Sequence, residues 1–174
     1  MANTFVALAT VTVGSGGASN ITFSSIPGIY TDLVLLTSLR STDTSSNWGA
    51  ATLRFNGDSG SNYYAKEVYG TGSAAGSGES VAATSLGAVR PNSNGTTANT
   101  FSNASLYIPN YTSSNQKSTS EDSVTENNAT AALSPLVAGR WTGTSAITSI
   151  VLTPSGGFSW MQYSTATLYG IKNS

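Results

Sequence analysis

The alternation of apolar and polar positions breaks this chain into short strand-like runs separated by Gly, Pro, Asn and Ser. Thr4 to Val13 is rich in β-branched residues, and Asn20 to Ser24 puts Ile21 and Phe23 on one face. The break at 14–19 predicts a hairpin between these first two strands. Tyr30 to Arg40 is the most apolar run, short and bounded by turn residues, which predicts a central strand covered on both faces. The clearest unit is Ala51 to Tyr69. Leu53 and Phe55 alternate with Thr52 and Arg54, seven small polar residues follow from Asn56 to Asn62, and an aromatic-rich run extends from Tyr63 to Tyr69. Asn56, Gly57 and Asp58 supply the residues a reversal needs, because Asn and Gly tolerate positive φ and Asp caps its own backbone. They are read as a structural turn between two core strands.

Further along, Gly70 to Gly78 reads as a flexible loop, Val81 to Val89 as a weakly patterned strand and Arg90 to Thr100 as loop. Phe101 to Pro109 is a strand ended by proline. Gln116 to Asn128 gathers charge in a polar alternating stretch and predicts an exposed edge strand or a long hairpin, since charge on an edge discourages edge-to-edge pairing. The apolar residues Leu133, Leu136, Val137 and Trp141 are spread over 131–141. Ser145 to Thr153 is a strand, Pro154 to Gly157 a turn, and Phe158 to Ile171 closes the fold. About eight to eleven short strands at near-regular spacing imply an all-β protein. The expected architecture is a single-domain antiparallel β-sandwich over residues 1–174, jelly-roll-like on strand count, with no helix beyond a turn.

Composition sharpens this picture. Only 9% of residues are charged, while the chain holds 29 Ser, 24 Thr and 14 Asn. Such side chains favour strands and turns over helices. The net charge is −1, and the seven basic residues are scattered singly, so no basic footprint for nucleic acid is expected. No apolar run approaches the roughly 20 residues of a spanning helix, so no membrane partner is expected either. The residues after Met1 lack a positive n-region, which argues against a secretory signal. Cysteine and histidine are absent, which removes disulfides, thiolate metal sites and the usual serine, cysteine and zinc mechanisms.

Several chemistries remain to be weighed. Gly70 to Gly78 lacks the spacing, the following helix and the lysine of a phosphate-binding loop. No lysine sits in a Ser-x-x-Lys context. Asn56 to Asn62 places side-chain oxygens at alternate positions, as a calcium loop does, but contains one carboxylate, Asp58, and no closing glutamate. Two-carboxylate glycoside hydrolysis needs only acids, and eight are present: Asp32, Asp43, Asp58, Glu67, Glu79, Glu121, Asp122 and Glu126. Most fall in loops or edges, where solvation accounts for them. Aromatics stack on the C–H faces of sugars, and Trp48, Tyr63, Tyr64, Tyr111, Trp141 and Trp160 lie beside loops as candidate ligand contacts. Tyr30, Tyr107 and Tyr169 sit within apolar runs and are assigned to core or interface. No cofactor or metal is expected. Five Asn-x-Ser/Thr sequons, from Asn20 to Asn128, match chance in so Ser/Thr-rich a chain.

Four segments together carry a family resemblance: Leu53 to Tyr63, Ser105 to Tyr111, Thr144 to Leu152 and Ser164 to Lys172. In that order the chain resembles a group of tailed-bacteriophage virion proteins, short Ser/Thr/Gly-rich β proteins of capsids or tails. The resemblance implies a non-enzymatic structural role in the virion, with synthesis in the host cytoplasm. It also implies homo-oligomers, often trimers, and contact with the major capsid protein or other virion proteins. Capsid decoration is favoured over a tail adhesin that binds a host glycan, because no shaft repeat or heptad pattern is present. A carbohydrate-binding module and a glycosidase are the remaining alternatives.

Overall fold

A computed structural model describes residues 4–87, 89–128 and 132–172. Twelve strands form among them: β1 (Phe5–Thr12), β2 (Ile21–Phe23), β3 (Asp32–Leu39), β4 (Ala51–Phe55), β5 (Tyr63–Gly70), β6 (Ala75–Ala83), β7 (Leu86–Gly87), β8 (Ser102–Ile108), β9 (Lys117–Val124), β10 (Ser134–Trp141), β11 (Ile150–Pro154) and β12 (Thr165–Ile171). A single 3₁₀ turn, Ser155–Gly157, is the helical content. The strands make two antiparallel sheets, one ordered β1-β12-β3-β8-β9-β10-β5-β6 and one ordered β2-β11-β4-β7.

The expected β-sandwich is therefore present, and its order defines the jelly roll. β1-β12-β3-β8 faces β2-β11-β4-β7, the two nested Greek keys of that fold, formed when a long ribbon rolls up so that early strands pair with late ones. The remaining strands are two insertions. β5 and β6 lie between β4 and β7, β9 and β10 lie between β8 and β11, and all four extend the first sheet to eight strands. Twelve strands exceed the expected eight to eleven because Val81 to Val89, read as one strand, holds both the end of β6 and the two-residue β7, and β6 begins within the glycine-rich 70–78 segment.

Jelly-roll winding places successive strands in opposite sheets, and this corrects two local expectations. β1 pairs with β12 and β2 with β11, so the first two strands are not a hairpin. Likewise β4 and β5 belong to different sheets, so Asn56 to Asn62 is a crossover between layers. β3 is central, between β12 and β8, but covered on one face only. Leu33, Leu35 and Leu39 are fully buried, whereas Leu36 on the other face is 42% exposed. Ser145 to Thr153 is extended only from Ile150. Ala131, where the predicted 131–141 segment begins, lies outside the described residues.

The core lies between the sheets, where Leu53, Phe55, Tyr63, Leu106, Ile150, Leu152 and Trp160 form one cluster. β7 reaches over β10 and β5, so β6 lies beyond the cover of the small sheet, and no β6 residue is buried. The large sheet thus ends in an open shelf.

Candidate functional site

The crossover loop is rigid and committed to structure. Asn56 and Gly57 adopt left-handed φ of 52° and 68°, as their residue types allow. The Asn56 side-chain oxygen accepts from the amides of Thr148 and Ser149 at 2.8 and 3.1 Å, and its amide donates to the Ala146 carbonyl at 2.8 Å. Asp58 accepts from the Gly60 amide (2.8 Å), the Asn62 side chain (2.9 Å) and the Trp141 indole N–H (2.7 Å). These bonds, led by that from Trp141, hold its carboxyl below the usual aspartate range although partial burial opposes them. Both oxygens are occupied, which accounts for the loop without calcium. Among the described residues no group of three or more His, Cys, Asp or Glu could hold a metal.

Burial corrects most of the aromatic candidates. Tyr63, Tyr111 and Trp160 are fully buried and Trp141 is 3% exposed, so none can meet a ligand. Phe55, Tyr63 and Trp141 pack as one aromatic group with centroids 5.5 to 6.5 Å apart. The Tyr63 hydroxyl accepts from the Phe55 amide at 3.0 Å and donates to the Asp58 carbonyl at 3.1 Å. Burial pushes its pKa to about 12. Large aromatics beside loops are drawn into the gap between sheets because they bury the most apolar area per residue. Tyr64 is half-buried under the Arg140 guanidinium, 4.4 Å from its ring centre. Trp48 borders a recess. Of the tyrosines assigned to core or interface, Tyr107 instead lies outward, 37% exposed, its hydroxyl donating to Asp32 at 2.8 Å.

That recess sits on the shelf. One rung of the large sheet runs Leu35, Leu106, Glu121, Val137, Glu67, Gly78 on the inner face. It is apolar at the core end and polar at the open end. At that end Glu67 and Tyr69 lie down across β6. A Cβ placed on Gly78 would sit 2.8 Å from the Glu67 Oε1, and one on Gly76 would sit 2.6 Å from the Tyr69 ring. The glycines read from sequence as a flexible loop are therefore strand positions that make room for two flattened side chains. Trp48, Leu133 and Arg90 complete a pocket of about 220 Å³. A smaller adjoining recess of about 50 Å³ shares Glu67 and Arg90.

The walls are held firmly. Trp48 bridges to Asn92, and the Gly49 amide donates to the Pro91 carbonyl at 2.8 Å. Asn92 is fully buried and bonds Thr100 and the Glu126 backbone through its side chain. Arg90 donates to Glu67 at 2.8 Å, with the two side chains 27% and 22% exposed. Val89, immediately before it, has φ of 64°, a strained conformation for a β-branched residue.

Beneath Arg90 lies the inner face of β9. Lys117, Thr119, Glu121 and Ser123 all point inward and are buried, because β9 is an interior strand between β8 and β10 and not the expected exposed edge. Lys117 is satisfied by the Ser113, Asn115 and Thr144 carbonyls, with its ammonium 5.9 Å from the Trp141 ring centre. Glu121 is 4% exposed, and neither carboxylate oxygen has a partner in good hydrogen-bond geometry, although the Ser123 hydroxyl and the Val89 amide lie near enough to pull on it weakly. Burial raises its pKa, opposed by weaker pulls from Ser123, Val89 and Arg90. Glu67 and Glu121 are thus the acids that one rung brings together, two strands or about 10 Å apart. One is held by arginine and the other is sealed inside, which is not the open carboxylate pair that glycoside hydrolysis uses. Sequence reasoning missed Tyr69 and Arg90, and weighed Glu67 only as one of eight acids. The alternating glycines at 76 and 78 were the available signal.

Comparison of the chain with protein-family models, curated proteins and solved structures finds no match.

Proposed function

We propose that this chain is a non-enzymatic structural protein of a tailed-phage particle that decorates the outer surface of the head. The observation that carries this reading is the outer face of the large sheet. Eight strands present a broad surface with no layer over it among the described residues, dotted with Phe5, Leu36, Val68, Tyr107, Val124 and Leu136 at 37 to 61% exposure. Hydroxyl side chains surround them, with Lys66, Asp122 and Arg140 among them. Seven strand spacings and about seven residues of strand give a face of roughly 34 by 24 Å, near 800 Å². That is what one partner contributes to a standard stable interface. Exposed apolar residues spread over a flat face of this size suit an assembly surface, and the occupant we propose for it is the capsid shell.

The sheet edges support contacts between copies. β1 carries no charge and β6 carries only Glu79, so charge guards neither long edge strongly against a neighbouring strand, although both pairings contain a register shift, between Ala7 and Ala9 on β1 and between Tyr63 and Ala65 on β5. A homo-oligomer arranged on the shell uses both kinds of surface, the face toward the capsid and the edges toward each other. Rebinding to capsids stripped of the protein tests this. Stoichiometric rebinding set by lattice symmetry is the expected result, and rebinding unaffected by Val68→Lys with Leu136→Lys contradicts it. A glycan-binding tail protein is the second reading, and the shelf pocket is the observation that favours it.

A further inference from the structure

We infer that the pocket bounded by Trp48, Tyr69, Arg90, Glu67 and Leu133 binds one neutral pyranose unit of a saccharide. The inference rests on the pocket and not on where the chain sits in a particle. Size comes first. About 220 Å³ holds the liquid volume of roughly seven waters, a space that a single six-membered sugar ring fills. Shape follows from the glycines. Because Gly76 and Gly78 have no Cβ, Tyr69 and Glu67 lie flat and form a floor, with Trp48 as a wall. The C–H face of a pyranose matches an aromatic surface, while its rim of hydroxyls needs donors and acceptors together.

Those groups are present and unused. Arg90 makes one hydrogen bond, to Glu67, and no other among the described residues. Glu67 Oε1, the Tyr69 hydroxyl and the Trp48 indole N–H have no hydrogen bond among them either. A guanidinium and a carboxylate side by side grip adjacent hydroxyls, one donating and one accepting. The ion pair also sets the charge of the ligand. Arg90 is already neutralised by Glu67 at 2.8 Å, so a phosphate, sulfate or uronic acid reaching its free N–H groups would sit against the Glu67 carboxylate charge. A neutral polyol keeps both partners. Pinning of the walls through Asn92, and backbone strain at Val89 beside Arg90, fit a preorganised recess better than a chance gap.

The protein carries its own reporter. Trp141 and Trp160 are buried, so Trp48 is the tryptophan whose fluorescence senses the pocket. The full chain is titrated with glucose, galactose, mannose, N-acetylglucosamine and rhamnose, and with glucuronic acid and sulfate as anionic counterparts. At least one neutral pyranose is expected to change Trp48 emission with a dissociation constant of about 1 mM, and the anions are expected not to. Tyr69→Ser weakens that binding about tenfold, equivalent to 1.4 kcal/mol, without lowering the melting temperature appreciably. Glu67→Gln leaves Arg90 unpaired and moves the preference toward glucuronic acid. No response to any neutral pyranose at about 10 mM overturns the inference. So does binding that both variants leave intact, or an anion preference in the unaltered protein.

Discussion

Replacing Glu121 with methionine removes a carboxylate that the fold buries without a partner. The side chain is 4% exposed, neither oxygen has a well-formed hydrogen bond, the Ser123 hydroxyl and Val89 amide pull on it only weakly, and the nearby Arg90 is committed to Glu67. An unsatisfied buried polar group costs about 1–3 kcal/mol, and exchanging buried charge for an apolar side chain of similar size is often neutral or stabilising by 1–4 kcal/mol. Methionine keeps the unbranched shape and packs beside Leu106 and Val137, its rung neighbours. The expected gain at pH 8 is about 2 kcal/mol, which in a chain of this length raises Tm by roughly 4–8 °C. The pH dependence carries the diagnostic sign. Burial raises the folded-state pKa, so wild-type stability is complete below the ordinary glutamate value and falls as pH rises through the higher folded value. The variant lacks that loss. Urea denaturation from pH 4 to 8 therefore shows a gap that is smallest in acid and widens with pH, and Glu121→Gln reproduces the widening. A variant less stable than wild type by about 1 kcal/mol, or a gap independent of pH, refutes an unpaired buried carboxylate.

Asp58 has the opposite sign. Its depressed pKa means that wild-type stability is present above the ordinary aspartate value and is lost as pH falls through the folded one, so Asp58→Asn flattens the acid limb of the denaturation curve. Asp58→Ala strands the Trp141 indole N–H and costs about 2–3 kcal/mol, read by urea denaturation with near-ultraviolet dichroism. Arg40 is 3% exposed and donates to the backbone carbonyls of Thr96, Thr97 and Thr100 at 3.2, 2.7 and 2.9 Å, so Arg40→Met costs about 3 kcal/mol and releases the 94–100 loop to hydrogen exchange. Gly78→Ala lifts Glu67 from its strand, weakening pyranose binding in the titration above while changing Tm little, because the clash is with the end of a flexible side chain.

The strands with period-2 apolar residues, such as Leu53 and Phe55 or Ile21 and Phe23, were legible because their alternation is set by local burial. So were the positive φ of Asn56 and Gly57, which depend on residue type alone. Pairing was not legible. β1 meets β12 across nearly the whole chain, and no local signal distinguishes that from a hairpin with β2. β6 was hidden because its inward positions are glycines whose packing is supplied by Tyr69 and Glu67 of the neighbouring strand. β9 misled because charge was read as exposure, whereas Lys117 is buried with three carbonyls to receive it. Four of six loop-side aromatics entered the core for want of any sequence mark separating a sugar platform from a core filler.

The most direct test of the proposed function is the position of the chain in an electron-microscopy map of the particle. The account predicts density repeating on the capsid lattice, with the outer face of the eight-stranded sheet, around Val68 and Leu136, turned toward the shell. Density confined to a tail tip, or a particle without this chain, contradicts it.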